Sequence, residues 1–408
     1  MTSDAARSLE GAEAAGIGRR LPILCLNFGH AYAHLFMLIY PTVVLSLEAD
    51  AMGSYGDLLL PATIGFVGFA AGTIPAGWLG DRWSRRGMLA VMFFGLGLGA
   101  IVTGLAQTSW QIGLGLGLLG LAASIYHPVG IAMLVEQARP LGRALGVNGV
   151  YGNMGVAAAP LLAAVLSEAL GWRWAFFVPG VISLATGLLF VALPWRVAAA
   201  SDERSDAAKS VDLSVLPRIF AYLLASAFFG GLIFNITTVS LPKLIDSEFG
   251  GWFDGPLGAG GLASAVFAVA AFTQIAVGWL IDRYPLKPLA LLLPALQAPL
   301  LIAVILFSGL PSLLAILGLM MIVFGEIPIT DTLVARHSVA AWRARFYAVK
   351  YVLALGVGAL AVPVIAWLHD PSEGFTRLYT LLAVMALCLA SAALVLPRER
   401  RSKAGAAI

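Results

Sequence analysis

The chain has 408 residues, 60% of them hydrophobic and only 12% charged, with a mean hydropathy of +0.90. A soluble globular domain carries about 25% charged residues, so this composition excludes one and points to a lipid bilayer. The net charge of +3 gives no reason to expect a nucleic-acid partner; the placement of the charges carries the information.

The first 18 residues include Asp4, Glu10 and Glu13 and lack an apolar stretch behind a basic start. They do not read as a cleaved leader, so the first apolar run is expected to remain as a span. Crossing the hydrocarbon core takes about 20 apolar residues in a helix. That ruler predicts twelve spans. Six precede a polar linker: Leu21–Leu47, Asp57–Gly80, Met88–Ala106, Trp110–Glu136, Leu141–Ser167 and Trp172–Pro194. Six follow it: Pro217–Ile245, Pro256–Ile281, Pro288–Phe307, Pro311–Ala335, Trp342–Leu368 and Phe375–Leu396. The predicted organisation is a tail over 1–20, a bundle over 21–194, a linker over 195–216, a second bundle over 217–396 and a tail over 397–408.

Arginine and lysine set the expected orientation. Both tails, the linker and the even-to-odd turns hold most of them, including Arg19, Arg20, Arg82, Arg85, Arg86, Arg139, Arg143, Arg283, Lys287, Arg336, Arg398 and Arg400. Opposite them stand Arg173 and Arg377, with Lys243 near the other end of span seven. By the positive-inside rule both termini are cytoplasmic, and the natural location is a bacterial inner membrane. Cys25 and Cys388 lie inside apolar runs and are expected to be small buried hydrophobes.

Between spans two and three lies Gly77-Trp-Leu-Gly-Asp81-Arg82-Trp-Ser-Arg85-Arg86-Gly-Met-Leu89. A shortened copy, Gly278-Trp-Leu-Ile-Asp282-Arg283, closes span eight and matches the first at five of six positions. Two charged turns at one offset indicate a duplicated membrane protein. The pattern resembles the signature loop of the major facilitator superfamily. Ser84 stands where that pattern has glycine, and Tyr284-Pro285 replaces the rest of the second copy. The resemblance implies an all-α integral membrane fold of twelve helices, in two six-helix bundles related by a pseudo-twofold axis. Helices one, four, seven and ten would face a central cavity. Gly77 would allow a close helix approach. Asp81, Arg82, Arg85 and Arg86, with Asp282 and Arg283, would act as a latch made in one conformation and broken in the other.

A narrower resemblance lies at Ser124-Ile-Tyr-His-Pro-Val-Gly130, followed by Arg143 and Gly152-Asn-Met-Gly-Val-Ala-Ala-Ala-Pro160. It is similar to the fosmidomycin-resistance branch, whose members resemble proton-driven exporters. No Arg or Lys falls between Trp110 and Glu136, so arginine-centred proton coupling in helix four is not expected.

Polar groups within spans are costly and default to functional candidates. Asn27, His30 and His34 occupy an arc of about 60° on span one. Either histidine could carry protons or donate to an anionic solute. Tyr126 and His127 precede Pro128, which frees a carbonyl one turn back and suggests a kink. Pro328 repeats the pattern in span ten and places Glu326 beside it. Counting the helical rise puts His30, His127 and Glu326 in one layer. Glu326 either pairs with Lys350 of span eleven or carries the coupling proton. Asn148 and Tyr151 on span five, and Asn235 and Thr238 on span seven, complete the candidate pathway. The glycines of spans four and five suggest close helix packing rather than a nucleotide loop.

The sequence therefore favours a secondary transporter: a small solute exchanged for protons by alternating access, exported by one chain, with no cofactor. Proton-coupled uptake of a small carboxylate is the alternative within the class. His30-x-x-x-His34 raises a metal enzyme, yet with only five histidines in the chain neither enzyme activity nor a metal site is expected.

Overall fold

The computed structural model describes residues 3–137, 141–193, 214–253, 255–337 and 340–397; side chains are described from residue 21 onward, except 141–143, 335, 340–351 and 355. Where a tail over 1–20 is expected, the backbone of residues 3–20 is helical and continuous with the first span, one helix over Ser3–Ala49. Nearly all of the expected C-terminal tail and most of the linker fall outside these limits. Twelve helices run through the described chain. The first half holds α1 Leu21–Ala49, α2 Tyr55–Arg82, α3 Arg85–Leu105, α4 Ser109–Gln137, α5 Ala144–Leu170 and α6 Trp174–Ala192. The second holds α7 Leu216–Trp252, α8 Gly255–Arg283, α9 Leu286–Leu306, α10 Leu310–Val334, α11 Ala340–Leu368 and α12 Thr376–Val395. Eleven are long and apolar enough to span a bilayer, and α11 contributes the apolar stretch Val352–Leu368.

The helices are apolar all round, so burial does not sort their residues. Large hydrophobics such as Ile74, Leu98, Ile275 and Trp367 are exposed on the outer surface, as a lipid-facing belt requires. Cys388 is one of these exposed positions while Cys25 is buried, which corrects the expectation that both are core residues. An apolar run in lipid does not imply an inward side chain.

The two halves repeat one packing scheme. In the first, α1 packs on α5, α2 on α4, α3 on α4 and α3 on α6; in the second, α7 packs on α11, α8 on α10, α9 on α10 and α9 on α12. The halves meet through α2 with α11, α5 with α8, and α1 with α7. Exchanging helix n for n+6 maps each set onto the other, as a pseudo-twofold axis between equivalent bundles demands.

Small residues set the closest approaches. A side chain at Gly120 of α4 would collide with the backbone of Gly65 and Phe69 on α2, and one at Gly155 of α5 with the backbone of Ala31 on α1. Both contacts lie inside the first half, so these glycines hold that bundle together. Gly146 meets nothing within 4 Å.

Candidate functional site

Three interruptions break the regular helices near mid-span. In α4, Tyr126–Gly130 forms a single wide turn around Pro128; in α7, Ser226–Gly230 forms another; in α10, the helix Leu310–Gly325 gives way at Glu326 to Ile327–His337, with Pro328 just beyond. At Pro128 the missing N–H and the crowding of the carbonyl one turn back widen α4; the wide turn of α7 contains no proline. In α4 the widening turns two consecutive residues inward: Tyr126 is fully buried and His127 nearly so.

That turn faces the polar stripe of α1. Asn148 of α5 organises the meeting point. Its Nδ2 donates to Asn27 Oδ1 at 2.9 Å and to Tyr126 Oη at 2.7 Å, while its backbone carbonyl lies 2.8 Å from His30 Nδ1. Tyr126 stacks on His30 at 4.7 Å between ring centroids. His127 stands edge-on to His30 at 5.3 Å and to His34 at 5.5 Å. Asn27, His30, Tyr126, His127 and Asn148 are buried and His34 is half-buried. The bonds through Asn148 hold Asn27, Tyr126 and His30 in fixed orientations in a low dielectric. Tyr151 lies beside it, edge-to-face on Phe28 at 5.5 Å.

The second half is arranged differently. Glu326 Oε1 accepts from Gln297 Nε2 of α9 at 2.8 Å, and Gly230 of α7 lies against the same carboxylate. The histidines therefore gather in one half while Glu326 is held by its own half. Asn235 and Thr238 direct their donors to the α7 backbone, to Gly231 O at 2.8 Å and Phe234 O at 2.7 Å. Asn235 also packs against Gly358 of α11. The Lys350 side chain lies outside the described residues. Gln297 is a site residue that the sequence reading missed; a lone amide inside the apolar run of span nine was the available signal.

At the face of the α2–α3 turn, Arg85 bridges Asp81, at 2.7 Å, and Glu136 at the end of α4. Ser84, the departure from the glycine pattern, caps α3 by accepting from Gly87 N at 3.0 Å. Gly77 packs on Pro128, coupling the charged turn to the wide turn of α4. Arg86 donates to the carbonyls of Val191 and Leu193 at the end of α6, both at 2.8 Å. Lys287 does the same for Leu394 and Leu396 at the end of α12, at 2.5 and 2.6 Å. Arg82 lies over Trp78 and Arg283 over Trp279, at 5.1 and 3.8 Å from the ring centroids. Asp282 is exposed. The two charged turns thus share capping and cation–π devices, and the described contacts of Asp81 and Arg85 stay within one half.

The opposite, distal face joins the halves. Lys243 of α7 pairs with Glu48 of α1 at 2.7 Å and with Asp246 at 3.2 Å. Tyr55 of α2 packs on His369, at 5.0 Å, and on Phe375, at 6.3 Å. Gly56 of α2 lies against Ala366 of α11, and Leu161 N donates to Ser264 Oγ of α8 at 2.9 Å. Above these contacts opens a cleft of about 730 Å³ whose mixed lining includes the ionisable Glu48, Asp57, Lys243, His369, Asp370 and Glu373. Burial pushes the His369 imidazole below its ordinary range; Lys243 adds to the effect and Glu48 and Asp370 oppose it. Lys243 stood out in the sequence as a lysine on the wrong side of the charge asymmetry, and that exception marked a partner across the halves.

The sequence profile of the Major Facilitator Superfamily matches residues 26–349. A multidrug resistance protein B homolog of Mycobacterium tuberculosis is 27% identical over 177 residues, 43% of this chain and 33% of that protein. A tetracenomycin C resistance and export protein of Streptomyces glaucescens is 28% identical over 281 residues, 67% of this chain and 48% of that protein. The matched segments span about a quarter to a half of the length of such curated relatives. In fold, the crystal structure of a D-xylose-proton symporter superposes with a TM-score of 0.75 at 14% identity, over 92% of this chain and 97% of that one.

Proposed function

Because this chain belongs to the Major Facilitator Superfamily, we propose that it exports a small organic solute across the cytoplasmic membrane by proton-coupled alternating access. The observation that carries the reading is the buried network of Asn27, His30, Tyr126, His127 and Asn148, with the half-buried His34 at its edge. Polar groups at that depth are costly unless they serve a pathway. Tyr151, Asn235 and Thr238 extend the pathway on either side of it.

Glu326 is the proton carrier in this reading. It stands at the break in α10 and, among the described contacts, holds a neutral amide, Gln297, rather than a fixed cation. A carboxyl so placed can be discharged without stranding a charged partner. Export is supported by the two resistance-type relatives and by the likeness of helices four and five to fosmidomycin-resistance proteins. Cytoplasmic termini are supported by the arginine and lysine asymmetry. The distal face is then the outer one, closed in this structure by Lys243 and Glu48. The latch at Asp81, Arg82, Arg85, Arg86, Asp282 and Arg283 re-forms when the cytoplasmic face closes. Each chain carries a full pathway and works as a monomer.

The test is accumulation of tetracenomycin C in proteoliposomes under imposed pH gradients of each sign. Export by antiport requires accumulation with the lumen acidic. Accumulation only with the exterior acidic would establish symport and overturn the direction; none under either sign would remove this solute class.

A further inference from the structure

His30, His34 and His127 each present a ring nitrogen, and the three nitrogens lie within 4.8 Å of one another. The first two come from one face of α1, four residues apart, with ring centroids separated by 5.0 Å. The third comes from α4, because the wide turn at Tyr126–Gly130 points His127 at the same spot. The sequence suggested only the i, i+4 pair; the third ligand enters by tertiary packing.

Two details distinguish this group from ordinary aromatic packing. His30 Nδ1 lies 2.8 Å from the carbonyl oxygen of Asn148. A carbonyl only accepts, so the proton sits on Nδ1 and the lone pair of Nε2 is left for another partner. Metal-binding histidines are held in this way, with the distal nitrogen fixed by a backbone carbonyl. The Asn148 side chain locks the same carbonyl-bearing residue through Asn27 and Tyr126, and Tyr126 stacks on the His30 ring. The ligand is therefore oriented by a second layer of contacts before anything binds.

We propose that these three histidines form a binding site for a divalent transition-metal ion of the zinc type, held by His30 Nε2 and one nitrogen each of His34 and His127. Three imidazoles with no carboxylate among them suit borderline cations and give poor ligation to magnesium or calcium. A tetrahedral zinc site with bonds of about 2.0–2.1 Å places its nitrogens about 3.3–3.4 Å apart. From separations of at most 4.8 Å, each pair of nitrogens has to close by no more than about 1.4 Å. Of the three histidines only His34 is half-buried, so a fourth ligand would enter past it. A dication among neutral rings inside a membrane protein is best balanced by an anionic fourth ligand, so that position suits hydroxide or an acidic group of a solute.

The inference goes beyond the transport reading and does not need it, since the ion binds without a gradient. Purified full chain, freed of any histidine tag, is titrated with Zn²⁺ against a chromogenic chelator and with Co²⁺ by visible absorption. One ion per chain is expected, with the intense bands of four-coordinate cobalt. His34→Asn and His127→Asn are each expected to weaken binding at least tenfold, while His337→Asn leaves it unchanged. Gel filtration and the unfolding midpoint check that each variant is folded; should His127→Asn fail that check, the variant of the less buried histidine, His34→Asn, decides. Sub-stoichiometric binding by the wild-type chain, or unchanged affinity in the folded His34 variant, would overturn the site.

Discussion

Lys243→Gln should shift the protein toward the state open at the distal face. The lysine ammonium is the contact that ties α7 to α1, at 2.7 Å from Glu48, with Asp246 at 3.2 Å and the Tyr55 ring 5.8 Å away. Its side chain is only 14% exposed and that of Glu48 30%. A hydrogen bond between charged groups contributes about 1.5–3 kcal/mol when shielded, whereas fully exposed pairs give about 0.2–1 kcal/mol. Discounting for the open cleft above leaves about 1–2 kcal/mol, a factor of about 5–30 in the ratio of closed to open states. The assay replaces Cys25 and Cys388, introduces Ala366→Cys at the α2–α11 contact, and measures its labelling by an impermeant thiol reagent. Labelling is expected to be several-fold to some thirty-fold faster with Lys243→Gln. An unchanged or slower rate would refute the idea that this pair holds the halves together.

Glu326→Gln is expected to abolish pH-driven transport while exchange of solute down its own gradient persists; undiminished pH-driven flux would remove Glu326 from coupling. Asp81→Asn frees Arg85 from its partner within α2 and should slow turnover several-fold while leaving solute binding intact, which a comparison of binding with flux reads out. His369 is held below its ordinary range, so its neutral form stabilises the distal contacts fully above about pH 6.5 and the contribution falls as pH drops further. The wild-type unfolding midpoint should therefore fall more between pH 7.5 and 5 than that of His369→Gln; parallel curves would count against it. Gly120→Val places a side chain into the α2 backbone and should cost about 1–3 kcal/mol by overpacking, seen as a lower midpoint and poor monodispersity. Gly146→Ala, with open space around it, serves as the silent comparison.

Much of the architecture was legible from the chain alone. The length of each apolar run is set against a fixed hydrocarbon thickness, so span count needs no knowledge of neighbours. The echo of Gly77-Trp-Leu-Gly-Asp81-Arg82 at Gly278-Trp-Leu-Ile-Asp282-Arg283 revealed the duplication, and the structure repeats it in the packing of both halves. The stripe of Asn27, His30 and His34 was also visible, because positions on one helix have a known angular spacing.

What the chain could not determine was which polar groups would meet. His127 and Glu326 occupy comparable places in α4 and α10, yet the first joins the histidines of α1 and the second turns to Gln297 of α9. Lys287, one basic residue among many in the sequence, reproduces the capping role of Arg86. Hydropathy belongs to each residue separately and sums along the chain. Partnership depends on the phase and tilt of helices that are apolar on every side, and a single wide turn at Pro128 changes that phase. Only the packed bundle settles it.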